Sequence, residues 1–532
     1  MTDPVAIAER KDRTTEAEFV KGIGLTSATT IVIGSMIGSG IFIVSADIAR
    51  VVGSPALLIA TWVITGIMTM AASLVYGELA AMMPKAGGEY IFLRESLGPL
   101  WAFLYGWTLF LVIQPGTIAA VGIAFGKYLG HFFPAISSSN WILHLWKVPA
   151  IPVMHGKIVL GDMEVGLNTQ NLVAIITIVL LSAINVFGVK TGALVQNVFT
   201  FTKTAALIGL GLLGFFVARN HEAIAANFSG GHFWHNAGWA TLHQISVGGG
   251  METALVGLVT ALAIAQVGSL FAADGWQGVT FAAAEVENPQ RNLPLALVLG
   301  TATVMLIYIA VNFSYMLTLP LHGDPNAATI AARGIQYATE DRVATAVMSQ
   351  MFGAAGASLI ALAILISTFG CNNGLILAGA RVYYAMAKDG MFFKPVSKLH
   401  PKYRTPAISL GAQAVWATVL CLSGSYGQLL DYTIFALLLF YILNMVALFV
   451  LRKTRPDAPR PYKTLLYPWL PILYVVMAGF ICLSLLRYKP QYTWPGLAIV
   501  LLGVPVYLLT RPTPVESTAL AGRTVEDNPP GS

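Results

Sequence analysis

Long apolar stretches, separated by short polar or charged segments, recur from Leu25 to Thr510. Their approximate bounds are 25–49, 55–83, 97–133, 170–189, 191–218, 253–286, 294–320, 346–390, 406–424, 427–452, 467–487 and 493–511. A helix of ~20 residues, rising ~1.5 Å per residue, crosses ~30 Å of hydrocarbon. The hydrophobicity is continuous or follows a helical period, unlike the ten-residue alternation of a membrane barrel. The pattern predicts an all-α integral membrane protein with about twelve transmembrane helices. It divides into a leader at 1–24, helices 1–5 at 25–218, an outside loop at 219–252 and helices 6–10 at 253–452. A loop with helices 11 and 12 follows at 453–511, and a flexible tail at 512–532.

Composition agrees: of 532 residues, 56% are hydrophobic and 11% charged, more apolar surface than a soluble protein of this length buries. The net charge of +6 would suit an acidic partner, but the positive residues sit in alternate loops. Arg10, Lys11, Arg13 and Lys21 precede the first stretch; Lys394, Lys398, Lys402 and Arg404 follow the eighth; Arg452, Lys453, Arg455, Arg460 and Lys463 follow the tenth. The surplus therefore reads as topology, with these loops and both termini cytoplasmic, and predicts no nucleic-acid partner. The leader runs into an apolar stretch too long for a signal peptide, so the first helix is expected to be retained in the plasma membrane.

Cys371, Cys421 and Cys482 fall within apolar stretches and predict neither a disulfide framework nor a metal site. The longer outside loops, 134–169 and 219–252, include His232, His235 and His243. These lack a carboxylate or cysteine at ligand spacing and read as solvated. No cofactor or metal is predicted. Nor does any HExxH or GxSxG arrangement suggest an enzyme.

Two stretches are interrupted. In "IVIGSMIGSGIF" (31–42), Gly34 and Gly38 either form a close-packing GxxxG face or mark a place where the helix unwinds. "SLFAADGWQGVTF" (269–281) repeats the interruption in the sixth stretch, now with the ionisable Asp274. Paired interruptions in corresponding members of two five-helix halves point to a transporter's binding site. A broken helix exposes N–H groups at the start of its second half and C=O groups at the end of its first. The former attract a carboxylate and the latter an ammonium, so two such breaks can hold a zwitterion.

At these residues the chain resembles the amino acid, polyamine and organocation superfamily, and within it the L-type amino acid transporters and their bacterial relatives. The resemblance rests on "GSMIGSGIF", "YGELAAMMPKAGGEYIFLRESLG" (76–98), "FAADGWQGVTFAAAEVENPQRNLP" (271–294), "STFGCNNGLILAGARVYYAMAKDGMF" (367–392) and "RPDAPRPYK" (455–463). It implies a LeuT-like fold in which helices 1–5 and 6–10 are inverted repeats, helices 1 and 6 are broken, and amino acids move by alternating access. By position, Gly38, Ser39 and Gly40 would receive the substrate carboxylate. Carbonyls near Met36, Phe271 and Asp274 would receive the amino group. Phe271 would be the aromatic gate, and Asn373 matches a residue lining the site region. Ala273 stands where eukaryotic relatives carry an aromatic residue, which alters the side-chain pocket; with Asp274 facing the backbone, the candidates for that pocket are Phe271, Ala273, Trp276 and Asn373. No outside cysteine is available for the disulfide that joins eukaryotic relatives to an accessory glycoprotein, so none is expected.

Lys203 reads either as a snorkelling lysine or, by the resemblance, as the cation that takes the place of sodium and bonds carbonyls freed from helix 1. Glu78, Glu285 and Glu287 read as solvated or as gate partners of Arg94 or Arg381. Asp274 is either a counter-ion for a cationic substrate or, with Gln277, a capping box that leaves the pocket to neutral side chains. A channel or an amino acid sensor built on the same scaffold remains the alternative to a transporter.

Overall fold

The computed structural model describes residues 21–510 except 86, 149–150, 154–157, 161–162, 188, 218, 248–251, 404 and 424–425. The charged leader through residue 20, Arg404 and the tail lie outside the described residues. Eight helices among the described residues are long and apolar enough to cross a membrane. They are Pro55–Met82, Pro99–Leu129, Thr169–Val186, Pro289–Thr318, Val343–Lys388, Tyr426–Thr454, Trp469–Tyr488 and Pro490–Leu509. The chain is a multi-pass membrane protein. The first, sixth and ninth apolar stretches hold the shorter helices Leu25–Met36, Leu258–Ala272 and Ala407–Leu422, and the fifth holds Val189–Phe216.

Helix Pro289–Thr318 is central, lying against Leu25–Met36, Pro55–Met82 and Val189–Phe216. Buried hydroxyls and amides join the helices where dispersion alone drives association weakly in lipid. Thr65 donates to Gln266 at 2.7 Å, Ser45 to Asn312 at 2.7 Å, and Ser73 pairs with Thr301 at 2.9 Å. Leu306, Leu359 and Leu483 point outward and are exposed, as lipid-facing leucines would be. In the third stretch Pro115 has no N–H to give, and the preceding residues Leu109–Ile113 widen into a π turn.

Three details differ from the pattern. The sixth helix starts at Leu258, not 253, because Glu252–Val256 pairs with His243–Val247 as an antiparallel hairpin. His243 and Ile245 are buried with Gln244 exposed between them, the two-residue alternation of a strand. The loop at 219–252 also contains helix His221–Phe228, whose first N–H groups are capped by the Asn220 side chain. Between residues 134 and 169, Trp141–Val148 pairs with Met163–Asn168.

Glu78 finds neither Arg94 nor Arg381. Its buried carboxylate is gripped by Arg452 at 3.0 and 2.7 Å and accepts the Thr464 N–H at 2.6 Å. Arg94 instead meets Asp389 at 2.8 Å. The tenth helix and the segment behind it fold back onto the second, a tertiary pairing that sequence spacing does not encode. Backbone bonds from Gly22 and Ile23 to Glu285 O, and from Glu287 N–H to Ile23 O, tie the start of the first stretch to the end of the sixth.

Candidate functional site

Helix Leu25–Met36 stops because Ile37 is extended, at φ −74° and ψ 93°. The chain resumes as a 3-10 turn at Gly40–Phe42 and then helix Val44–Val52, neither with a side-chain cap. The backbone N–H groups of Gly38, Ser39, Gly40 and Ile41 have no acceptor among the described residues. Four donors without partners in a buried segment are what a carboxylate would satisfy. The Ser39 hydroxyl, buried, lies 3.2 Å from the Tyr426 hydroxyl.

In the sixth stretch, helix Leu258–Ala272 ends and the chain turns through Gly275, at φ +90°, before the short helix Gly278–Phe281. The two interruptions touch. A Cβ on Gly40 would lie 2.6 Å from Ala272 Cβ, and one on Gly275 2.8 Å from Ser35 O. Glycine at these two positions is therefore required for the crossing, and at Gly275 also for the left-handed backbone.

The carbonyls released at the end of the first half-helix are met by two side chains. Lys203, 1% exposed, donates its Nζ to Gly34 O. A lysine turned inward onto a backbone carbonyl is not snorkelling. Tyr308, from the seventh stretch, places its hydroxyl 3.0 Å from Met36 O and 3.1 Å from Ala272 O. It has one proton for two carbonyls, so one acceptor always retains capacity for a further donor such as an ammonium. Tyr308 was missed in the sequence because a tyrosine in an apolar helix gives no local signal. The Phe271 carbonyl, by contrast, already accepts the Asp274 N–H at 3.3 Å.

Asp274 does not form the capping box. No side chain caps helix Gly278–Phe281; the Asp274 carboxylate accepts from the Tyr441 hydroxyl at 2.6 Å and from Gln277 Nε2 at 3.4 Å. The left-handed turn at Gly275 brings the two side chains of the "DGWQ" run alongside each other, and Tyr441 reaches in from the tenth helix. A small, mainly apolar pocket lies here, bordered by Thr69, Ala273, Asp274, Trp276, Leu438 and Tyr441. Trp276 is wedged between Tyr76 and Tyr441, with ring centroids at 4.7 and 5.6 Å. Phe271 stands edge-on to Tyr426 at 6.0 Å. Asn373 accepts from Asn185 at 2.8 Å, whereas Cys371 of the same helix lies 3.5 Å from a Cβ built on Gly38.

Above Tyr426 lies an ion-pair cluster. Lys127 Nζ sits over the Tyr426 ring at 5.8 Å and 3.6 Å from Asp341, which Arg50 also grips at 2.7 Å. Burial raises the Asp341 carboxyl, but Lys127 and Arg50 outweigh it, holding the group below its ordinary range. A depressed folded-state pKa stabilises the fold above the unfolded value, ~3.9, and the contribution vanishes as pH falls through the folded value. Asp341→Asn is therefore expected to lower the unfolding temperature in detergent at neutral pH, at a cost of no more than ~1 kcal/mol for a carboxylate one-third exposed. The gap between variant and parent should close on acidification. A gap that persists unchanged at low pH would remove the ion pairs as its cause.

The family model described as Amino acid permease matches residues 23–506 of the chain. The chain is 30% identical over 489 residues to the serine/threonine exchanger SteT of Bacillus subtilis, across 92% of this chain and 96% of that protein. It is 30% identical over 490 residues to the human large neutral amino acids transporter small subunit 2, across 92% and 80%. Similarity to the mouse b(0,+)-type amino acid transporter 1 is 28% over 476 residues, across 89% and 84%.

Proposed function

The chain belongs to the amino acid permease family, and from that premise we propose that it carries neutral amino acids across the plasma membrane by alternating access, independently of sodium. The observation that carries this reading is the row of free N–H groups from Gly38 to Ile41, set against the carbonyl end at Met36 and Ala272. One end suits a carboxylate and the other an ammonium. Movement is by exchange or with protons, and the name of the serine/threonine exchanger supports the former. We take helices 1–5 and 6–10 as the two repeats, with both termini cytoplasmic.

Neutral substrates are favoured because the pocket beside the break is mainly apolar and bordered by a single carboxylate, Asp274, which already receives the Tyr441 hydroxyl and the Gln277 amide. The second reading, a cationic amino acid carrier, draws on the same Asp274 bordering the pocket. A competition panel of the common amino acids in proteoliposomes, with and without internal amino acid or a proton gradient, tests both. Serine, threonine or the large neutral amino acids should compete best, and Asp274→Asn should keep most uptake. Arginine as best competitor, with its uptake selectively lost in Asp274→Asn, would make Asp274 the substrate's counter-ion. In the same assay Ser39→Val, which crowds the free N–H groups, should abolish binding but not insertion; unchanged affinity would return the glycine run to a packing role.

A further inference from the structure

Glu89 is a buried carboxylate that the zwitterion site does not use. It opens helix Glu89–Ser96, between the second and third apolar stretches, and is 2% exposed. Its Oε2 accepts from Asn444 Nδ2 at 3.3 Å. The titratable groups facing it are Tyr76 of the second helix, Tyr105 of the third, Asp274 at the break, Tyr441 of the tenth helix and Tyr474 of the eleventh. None of these is a cation. The nearby arginines are committed elsewhere, Arg94 to Asp389 and Arg452 to Glu78.

The amide of Asn444 supplies an independent sign. Its Nδ2 donates both to Glu89 and to Phe440 O, the latter at 2.9 Å, while its buried Oδ1 has no partner among the described residues. An ionised carboxylate only accepts hydrogen bonds and cannot satisfy that oxygen; a carboxylic acid carries the O–H that can. Asn444 also lies three residues beyond Tyr441, on the same face of the tenth helix, and Tyr441 holds Asp274. Glu89 and the break in the sixth helix are thus joined through one helical turn. Burial, with the neighbouring Asp274 adding to it, outweighs the opposing Tyr76 hydroxyl and pushes the Glu89 carboxyl up to about 8.

We propose that Glu89 is a proton-binding site of the transport cycle, protonated in the closed arrangement described here and released to water when the helix Glu89–Ser96 end opens. On release the acid O–H bond breaks, the electron pair stays on the carboxylate and the proton passes to water. The resulting anion faces Asp274 and disfavours reclosure until it is protonated again. This rests on the transporter reading and adds to it a group that makes the rate depend on pH.

The test is uptake of labelled L-serine and L-leucine into proteoliposomes across a pH series, for the unaltered protein and for Glu89→Gln, which mimics the neutral acid. The parent rate should fall as pH rises from the ordinary glutamate range, ~4.3, towards about 8, by up to about tenfold per unit, and level off above it. Glu89→Gln should match the parent's rate at acidic pH and lose the fall towards alkaline pH. Superimposable profiles overturn the proposal. Infrared titration of the unaltered protein and of Glu89→Gln in detergent gives a second readout that does not depend on transport, the difference between the two assigning the band to Glu89. A carboxylic-acid carbonyl band at about pH 6 should disappear as the pH rises through the alkaline range, and its absence throughout overturns the proposal. If no amino acid is taken up at any pH, the transporter reading fails, and an infrared band present in the parent and missing from detergent-purified Glu89→Gln still decides the state of Glu89.

Discussion

Lys203→Ala is expected to cut amino acid uptake by ~10- to ~100-fold while the protein still inserts, because its loss leaves the Gly34 carbonyl unsatisfied at a cost of ~1–3 kcal/mol. The ammonium is buried and donates to that carbonyl, in the last turn of the first half-helix. A charge is kept at such depth only where it serves a pathway or a partner. On the proposed function it stands at the negative end of the broken helix in place of a sodium ion. Uptake by the unaltered protein should accordingly be the same in sodium and in choline medium. Sodium-driven accumulation would contradict the assignment, and wild-type turnover in Lys203→Ala would reduce the lysine to a structural group.

Tyr308→Phe should have a comparable effect through a different bond. The substitution keeps the ring and its edge contact with Trp62 at 5.5 Å, and removes the hydroxyl that reaches Met36 O and Ala272 O. Two buried carbonyls then share no donor, at a cost of ~1–3 kcal/mol, or ~5- to ~150-fold in an equilibrium constant. We expect apparent substrate affinity to weaken by an amount in that range, beyond any fall in unfolding temperature that the Tyr315→Phe control shares. Tyr315→Phe is the control, since its hydroxyl bonds Ile41 O, at 3.2 Å, beyond the carbonyl end. Equal losses in the two variants would show a general packing role instead of a specific one at the breaks.

These expectations combine residues of unequal visibility. Gly38, Ser39, Gly40 and Asp274 stood out because helix breakers and a carboxylate inside apolar runs conflict with their surroundings. Lys203 stood out for the same reason. Tyr308, Tyr426, Tyr441 and Asn444 did not, because aromatic and amide side chains are ordinary in membrane helices and acquire roles only from what faces them. Asp274 shows the limit in one residue. Its position was legible, but the capping partner inferred from spacing was displaced by Tyr441, 167 positions away in the chain.

The sequence alone determined the membrane setting, the helical class and the two interrupted stretches, since each follows from local hydrophobicity and backbone preference. Apolar length requires hydrocarbon, and glycine relaxes the helix wherever it occurs. Tertiary structure decided which groups answer the freed backbone: Lys203 and Tyr308 at the carbonyl end, and Arg452 instead of Arg94 at Glu78. Partner choice depends on distances of a few ångströms between segments remote in the chain, and local pattern does not contain those distances.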